Sequence, residues 1–308
     1  AIKESYKKEI FDEQFEPTVI LNKDNQPTAT ISADDAVVFF NFRSDRAKQL
    51  SKAFVIPEFT KFERQFLKGL DFVTMTEYEK GLPTKVLFPP IIIKNPLAKI
   101  VSDHKFRQLH IAETEKYAHV TFFINGMQEE KFRGEDRILI PSPAVSSYDQ
   151  KPEMSAKELT DGIIKSIKDG KHDFIIVNYA NPDMIGHTGN LEASIKAVEF
   201  IDQCLSRVVN TAVNYSGMVF VVGDHGNAEE LIEVNTGKID KEHSVYPVPF
   251  IAVNKSLVGK PLQELPNGDL SILKPTGLLS DVAPTILGSV GLPMAPEMTG
   301  TNLLEFLK

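Results

Sequence analysis

Cysteine is nearly absent from this chain: Cys204 stands alone among 308 residues, so no disulfide can form within it. Its place in an apolar helical pattern reads as a buried structural thiol. No apolar run approaches the length that crosses a bilayer, which excludes a helical membrane span. Positive charge is also short. With 34 Lys and Arg against 42 Asp and Glu the formal net charge is -8, and there is no electrostatic footprint for nucleic acid. An anionic substrate must therefore be drawn in by local cations against the global field. Neither a Walker-type phosphate loop nor a G-x-G-x-x-G turn occurs, which argues against a kinase and implies no nucleotide cofactor. Internal repeats and low-complexity tracts are missing too. At 42% hydrophobic and 25% charged residues the chain can build two cored domains of a cytoplasmic protein.

Against that background stand three clusters of metal-type ligands: Asp183 with His187, Asp224 with His225, and His243. The first follows Phe174-Ile175-Ile176-Val177 and an Asn181-Pro182 break; the second follows Met218-Val219-Phe220-Val221-Val222 and sits between Gly223 and Gly226. Short β-branched runs ending in a break predict buried strands, and α/β proteins place their chemistry in the loops at strand carboxyl ends. Carboxylate oxygen and imidazole nitrogen together suit zinc, manganese or iron better than calcium, which prefers an all-oxygen shell.

Between the first two clusters Asn190 predicts a helix cap, with Leu191, Ile195, Val198, Ile201, Leu205 and Val208 at helical spacing. A crossover of that length predicts parallel strands with both clusters on the same edge of one sheet. Upstream, Ser155-Ala156-Lys157-Glu158 has the form of a capping box, and its helix stops near Gly170. His243 precedes a strand that Pro247 and Pro249 introduce, and Asp281 with Pro284 marks one more helix start. Prolines 89, 90 and 96 bracket Ile91-Ile92-Ile93, read as a stiff crossing between domains of residues 1–90 and 91–308.

Two further segments carry less by themselves. Arg43 and Arg46 follow the strand-like Val37-Val38-Phe39-Phe40 and flank Asp45, but two arginines three apart also describe a solvated face. Lys116 ends a segment, residues 111–118, that reads as an amphipathic helix end with Glu113 and Glu115 on its surface.

Taken together, these segments resemble the cofactor-independent phosphoglycerate mutases of the alkaline phosphatase superfamily. Asn181-Pro182-Asp183-Met184-Ile185-Gly186-His187-Thr188-Gly189, Gly223-Asp224-His225-Gly226-Asn227-Ala228-Glu229 and His243-Ser244-Val245-Tyr246-Pro247-Val248-Pro249 are similar to that family's metal motifs. Phe40-Asn41-Phe42-Arg43-Ser44-Asp45-Arg46-Ala47 resembles its substrate arginine motif, and residues 112–123 its active-site lysine segment. The metal motifs are shared across the superfamily, whereas the arginine and lysine segments are specific to the mutases.

The resemblance implies an α/β fold: an alkaline-phosphatase-like three-layer α/β/α domain with a mostly parallel sheet over residues 91–308, and part of a second α/β transferase domain over residues 1–90. It implies two divalent ions, normally manganese, one held by Asp183, His187 and His243 and the other in part by Asp224 and His225. Arg43, Arg46 and Lys116 would contact the substrate, 2-phosphoglycerate or 3-phosphoglycerate, interconverted in glycolysis through a phosphoserine without a bisphosphoglycerate cofactor. The family's nucleophilic serine and first aspartate ligand match nothing here. The resemblance therefore implies the C-terminal portion of a longer enzyme, whose N-terminal part is the missing partner, and a chain inactive as a mutase alone. Val245-Tyr246 departs from the family's usual Thr-Asn after the histidine. The alternatives are another phosphohydrolase or sulfatase of the superfamily, which has no reason to carry the arginine and lysine segments, and a noncatalytic interaction protein.

Overall fold

Apolar runs too short for helices and one long helical pattern dictate most of the architecture. A computed structural model describes residues 1–8, 10, 15–91, 93–233, 235–259 and 274–304, without the side chains of Asp45 and Arg46. The chain divides into two compact units, Ala1–Ile91 and Ile92–Lys308.

In the first unit the described part of the charged stretch 2–15 contains a short helix, α1 (Ile2–Lys7); residues 9 and 11–14 lie outside those described. Three parallel strands follow, β1 (Ala36–Phe39), β2 (Asp71–Thr76) and β3 (Lys85–Phe88), in the order β1-β2-β3, with α2 (Ser44–Val55) after the first. Phe72 on β2 packs edge-on against Phe39 and beside Phe54, which fixes α2 on the sheet. Arg43 is the N-cap residue of α2, just past the carboxyl end of β1. There the Tyr78 hydroxyl donates to the carbonyls of Phe39 and Asn41.

The second unit is built on β4 (Gln108–Glu113), flanked by β5 (Glu135–Ile140) and β6 (Phe174–Asn178), all parallel. With a strand on each side, β4 is buried at every position. Residues 111–118 are therefore not a helix end: Ile111 to Glu113 complete this central strand, and a 3-10 turn, Thr114–Lys116, follows. Its period of two was hidden because both faces are covered. Leu109 and Ile111 join the main core, while Gln108 and His110 bond one another on the opposite face.

The core is closed by α4 (Ala156–Asp169), whose Leu159 and Ile163 pack on Leu109 and Ile111. Each such fully buried side chain contributes about 1.5–3 kcal/mol. A short α3 (Leu97–Asp103) packs against β4, and Gln108 donates to its Ala98 carbonyl at 2.8 Å. Ser155 does not form the expected capping box. Its hydroxyl donates to the Pro141 carbonyl at 2.8 Å and its amide to Glu113 at 3.1 Å, so buried partners outcompete Glu158.

After β6 come α5 (Asn181–Gly186) and α6 (Leu191–Asn214), the latter capped by the Asn190 side chain accepting from the Ala193 amide at 3.1 Å. The buried face of α6 is Ala193, Ala197, Ile201, Cys204 and Val208, and Leu191, Ile195 and Val198 are exposed, contrary to expectation. Small side chains win the inner face because α6 must lie close to both α4 and α5.

The expectation of one sheet carrying both loops also needs correction. Among the described strands β7 (Val219–Val222) pairs only with β8 (Phe250–Val253), antiparallel, while β6 pairs only with β4. Val222 on β7 and Ile251 on β8 are exposed. Near the end, Asp281 precedes α7 (Val282–Ser289) but does not cap it: its carboxylate accepts from the amides of Leu278 at 2.7 Å and Thr301 at 2.8 Å. Ile91 and Ile93 belong to no strand, because neither finds a ladder partner, and Ile92 lies outside the described residues. No described helix is long and apolar enough to cross a membrane.

Candidate metal centre

Pro182 stands in the first turn of α5, where its missing amide costs nothing, and Asn181 donates to the Pro152 carbonyl at 2.7 Å to anchor the helix start. Asp183 and His187 then lie four apart on one face. Asp183 Oδ1 is 3.2 Å from His187 Nε2 and 3.1 Å from His243 Nε2, and the two imidazole nitrogens are 3.2 Å apart. These three ligand atoms all fall within 4.8 Å of one another.

The donor set fits a borderline divalent cation. His187 Nδ1 lies 2.6 Å from the Lys241 carbonyl, which accepts a hydrogen bond from Nδ1–H and so leaves the Nε2 lone pair facing Asp183 and His243. Two imidazole nitrogens and a carboxylate oxygen at this spacing can turn three lone pairs toward one point. A cation there would satisfy all three, and three protein ligands would leave coordination positions open.

Beside the triad, His225 Nε2 is 3.8 Å from Asp183 Oδ1 and 3.7 Å from Asp224 Oδ1. Its ring stacks on His243, with centroids 3.7 Å apart and planes at 20°. Asp224 and His225 thus adjoin the triad, but they offer two donors where the triad offers three.

Lys116 arrives from the neighbouring strand. The parallel register pairs Ala112 with Asn178, so β4 and β6 end side by side and their following loops meet. There Lys116 Nζ donates to Asp183 Oδ2. Burial pushes the Asp183 carboxyl up, but the Lys116 ammonium, followed by the neighbouring imidazoles, outweighs it and holds the group below the usual carboxylate range. Glu113 anchors the base of this turn, accepting from the Ser155 amide and the Ser142 hydroxyl, both at 3.1 Å. Burial raises its pKa.

Of the residues singled out from sequence, the fold gathers Asp183, His187, His243, His225, Asp224 and Lys116 in the second unit. Arg43 belongs to the first unit, at the end of β1, and the Arg46 side chain lies outside the described residues.

Four residues at the centre escaped the sequence reading. His119 lies in a π-helical turn, His119–Phe123, with its Nδ1 buried and without a hydrogen-bond partner among the described residues. Burial, and then the Lys116 charge, lowers its pKa. Asn227, Glu229 and Ser244 link the second and third motifs to Asp183. The glycines were the available signal. A Cβ on Gly186 would collide with the Asn227 amide, and one on Gly226 with the Glu229 carboxylate and the Ser244 hydroxyl.

Residues 40–294 match the profile of the Metalloenzyme superfamily. The chain belongs to that superfamily. Within it, the chain is similar to proteins named 2,3-bisphosphoglycerate-independent phosphoglycerate mutase. That of Chloroflexus aurantiacus is 47% identical over 325 residues, covering 99% of this chain and 59% of the relative. That of Thermomicrobium roseum is 48% identical over 306 residues, 99% and 57%. Among solved structures, a Leishmania mexicana phosphoglycerate mutase determined at low cobalt concentration aligns with a TM-score of 0.69 and 26% identity, over 97% of this chain and 56% of that one. The chain spans less than two thirds of the length of each of these relatives. The likeness supports the alkaline-phosphatase-like α/β fold of this superfamily member.

Proposed function

We propose that the whole protein containing this chain interconverts 2-phosphoglycerate and 3-phosphoglycerate in the cytoplasm as a step of glycolysis. In this reading Asp183, His187 and His243 hold one manganese ion, and Asp224 with His225 contribute to a second. Bound divalent ions supply electrophilic stabilisation of a transferring phosphoryl group. The chain's own residues do the rest of what is assigned here. Lys116 offers a compact positive charge beside Asp183 for a substrate oxygen, and Arg43 and Arg46 bring planar donor forks suited to phosphate or carboxylate. No residue of this chain is assigned as the nucleophile, and the chain by itself is proposed to be inactive as a mutase.

The observation that carries this reading is the convergence of Asp183, His187 and His243 with Lys116 on the same carboxylate. Calorimetric titration of the chain with manganese tests it: one tight equivalent and at most one weaker one are expected, and His187→Ala or His243→Ala should abolish the tight equivalent. Tight binding that survives both substitutions would overturn the assignment. Steady conversion of 3-phosphoglycerate to 2-phosphoglycerate by the chain with manganese would overturn its proposed inactivity.

A further inference from the structure

His243 is a poorly buried ligand on a poorly buried loop. Its neighbours Val245 and Tyr246 are exposed, Val245 completely so at 102%, and no regular element begins before Phe250. Apolar packing therefore does little to fix the imidazole, and its position depends on hydrogen bonds.

Those bonds converge on one carboxylate. The Ser244 amide donates to the Gly226 carbonyl at 2.9 Å, which lays the two loops antiparallel for one bridge. The Ser244 hydroxyl donates to Glu229 Oε1 and accepts from the Tyr246 amide at 3.2 Å. Glu229 Oε2 accepts from the Asn227 amide at 2.8 Å, and the Asn227 side chain reaches on to Asp183 Oδ1 at 3.4 Å. One acidic side chain thus ties the residue after His243 to the residue that contacts Asp183. The glycines on the path leave it room: a Cβ at Gly226 would press on the Glu229 carboxylate and the Ser244 hydroxyl, and one at Gly186 on the Asn227 side chain.

We propose that Glu229 is a positioning residue for the metal triad: through Ser244 it sets His243, and through Asn227 it sets Asp183, in ligand geometry. Glu229 is not itself a ligand; its carboxylate is spent on Ser244 and Asn227. The proposal rests on the reading of Asp183, His187 and His243 as metal ligands. Outer-shell partners of this kind typically change metal affinity by about 10–100-fold, and the partial exposure of Glu229 places the expectation at the lower end.

The test is manganese affinity, by calorimetry or by the electron paramagnetic resonance signal of the free ion, on the 308-residue chain. Glu229→Gln and Ser244→Ala should each weaken binding about tenfold. The double variant should be little worse than either, because both remove the same bond. Ser244→Thr keeps the hydroxyl and should recover most of the affinity. Thermal unfolding without metal separates positioning from plain structural support: the metal-free midpoint should hardly move, while the rise on adding manganese should shrink. Wild-type affinity in both Glu229→Gln and Ser244→Ala, with His243→Ala losing binding, overturns the clasp and leaves the metal site intact. Undiminished binding in His243→Ala overturns the metal reading itself. A fall in metal-free stability that accounts for all the lost affinity would return Glu229 to a structural role.

Discussion

The Lys116 ammonium rests on Asp183 Oδ2 while Asp183 Oδ1 faces His187 and His243, so one carboxylate serves the lysine with one oxygen and the histidines with the other. Lys116 is 7% exposed and Asp183 13%, which makes the contact a largely desolvated ion pair. Such a pair stabilises little relative to an apolar replacement of both partners, but loss of one partner strands the other.

Lys116→Met should therefore lower the stability of the metal-free chain by about 3 kcal/mol, the low end for stripping a partner from a buried pair. The same change removes a positive charge from beside the triad, so manganese affinity should rise about tenfold, equivalent to about 1.4 kcal/mol. Urea unfolding and a manganese titration of one variant check both signs. A change in the same direction in both would show that Lys116 orients Asp183 and does not compete at it.

His110 gives the chain a pH response away from the triad. Burial holds its imidazole below the ordinary histidine value, with the nearby Glu135 carboxylate offsetting only part of that. The folded state keeps the ring neutral, so its contribution is present above the unfolded pKa of about 6.5 and is lost as pH falls below it toward the folded value. Urea midpoints should drop between pH 7.5 and 5.5, and His110→Gln should flatten that slope. An unchanged slope in the variant would assign the response elsewhere.

Leu109 is fully buried between β4 and α4. Leu109→Ala should cost about 2–5 kcal/mol, because the surrounding strands and helix cannot collapse into the gap. A lower urea midpoint at unchanged slope is the expected signature.

Under the proposed function, the expected effect in the first unit is on catalysis. In the whole enzyme, Arg43→Ala and Arg46→Ala should each lose roughly 2–5 kcal/mol of transition-state stabilisation in kcat/KM, the scale for removing one partner of a desolvated charge pair. Lysine at either position should recover only part of it, since it lacks the planar fork. Unchanged kinetics in both alanine variants would make these arginines a solvated face.

Elements written in local chemistry were legible without coordinates. The runs at Phe174 and Val219 became strands, and Asn190 became a cap, because β-branched density and a short polar side chain act over a few residues. Elements whose character depends on what lies against them were not. Glu113 read as a surface carboxylate and is fully buried, because β5 and β6 close on β4 from both sides. Leu191, Ile195 and Val198 read as the inner face of α6, but alanines took that place where two helices approach closely.

The candidate site divides along the same line. The sequence by itself grouped Asp183 and His187 in one short motif, read as a loop; they share a face because that segment folds as α5. The arrival of His243, 60 residues from Asp183, the descent of Lys116 onto the same carboxylate from a parallel strand, and the bonds that join Glu229 to Ser244 were decided only by tertiary structure. The physical reason is range. Helical periodicity and turn chemistry fix neighbours within about one or two turns, whereas a site drawn from four separate segments depends on sheet register and loop hydrogen bonds that no local pattern encodes.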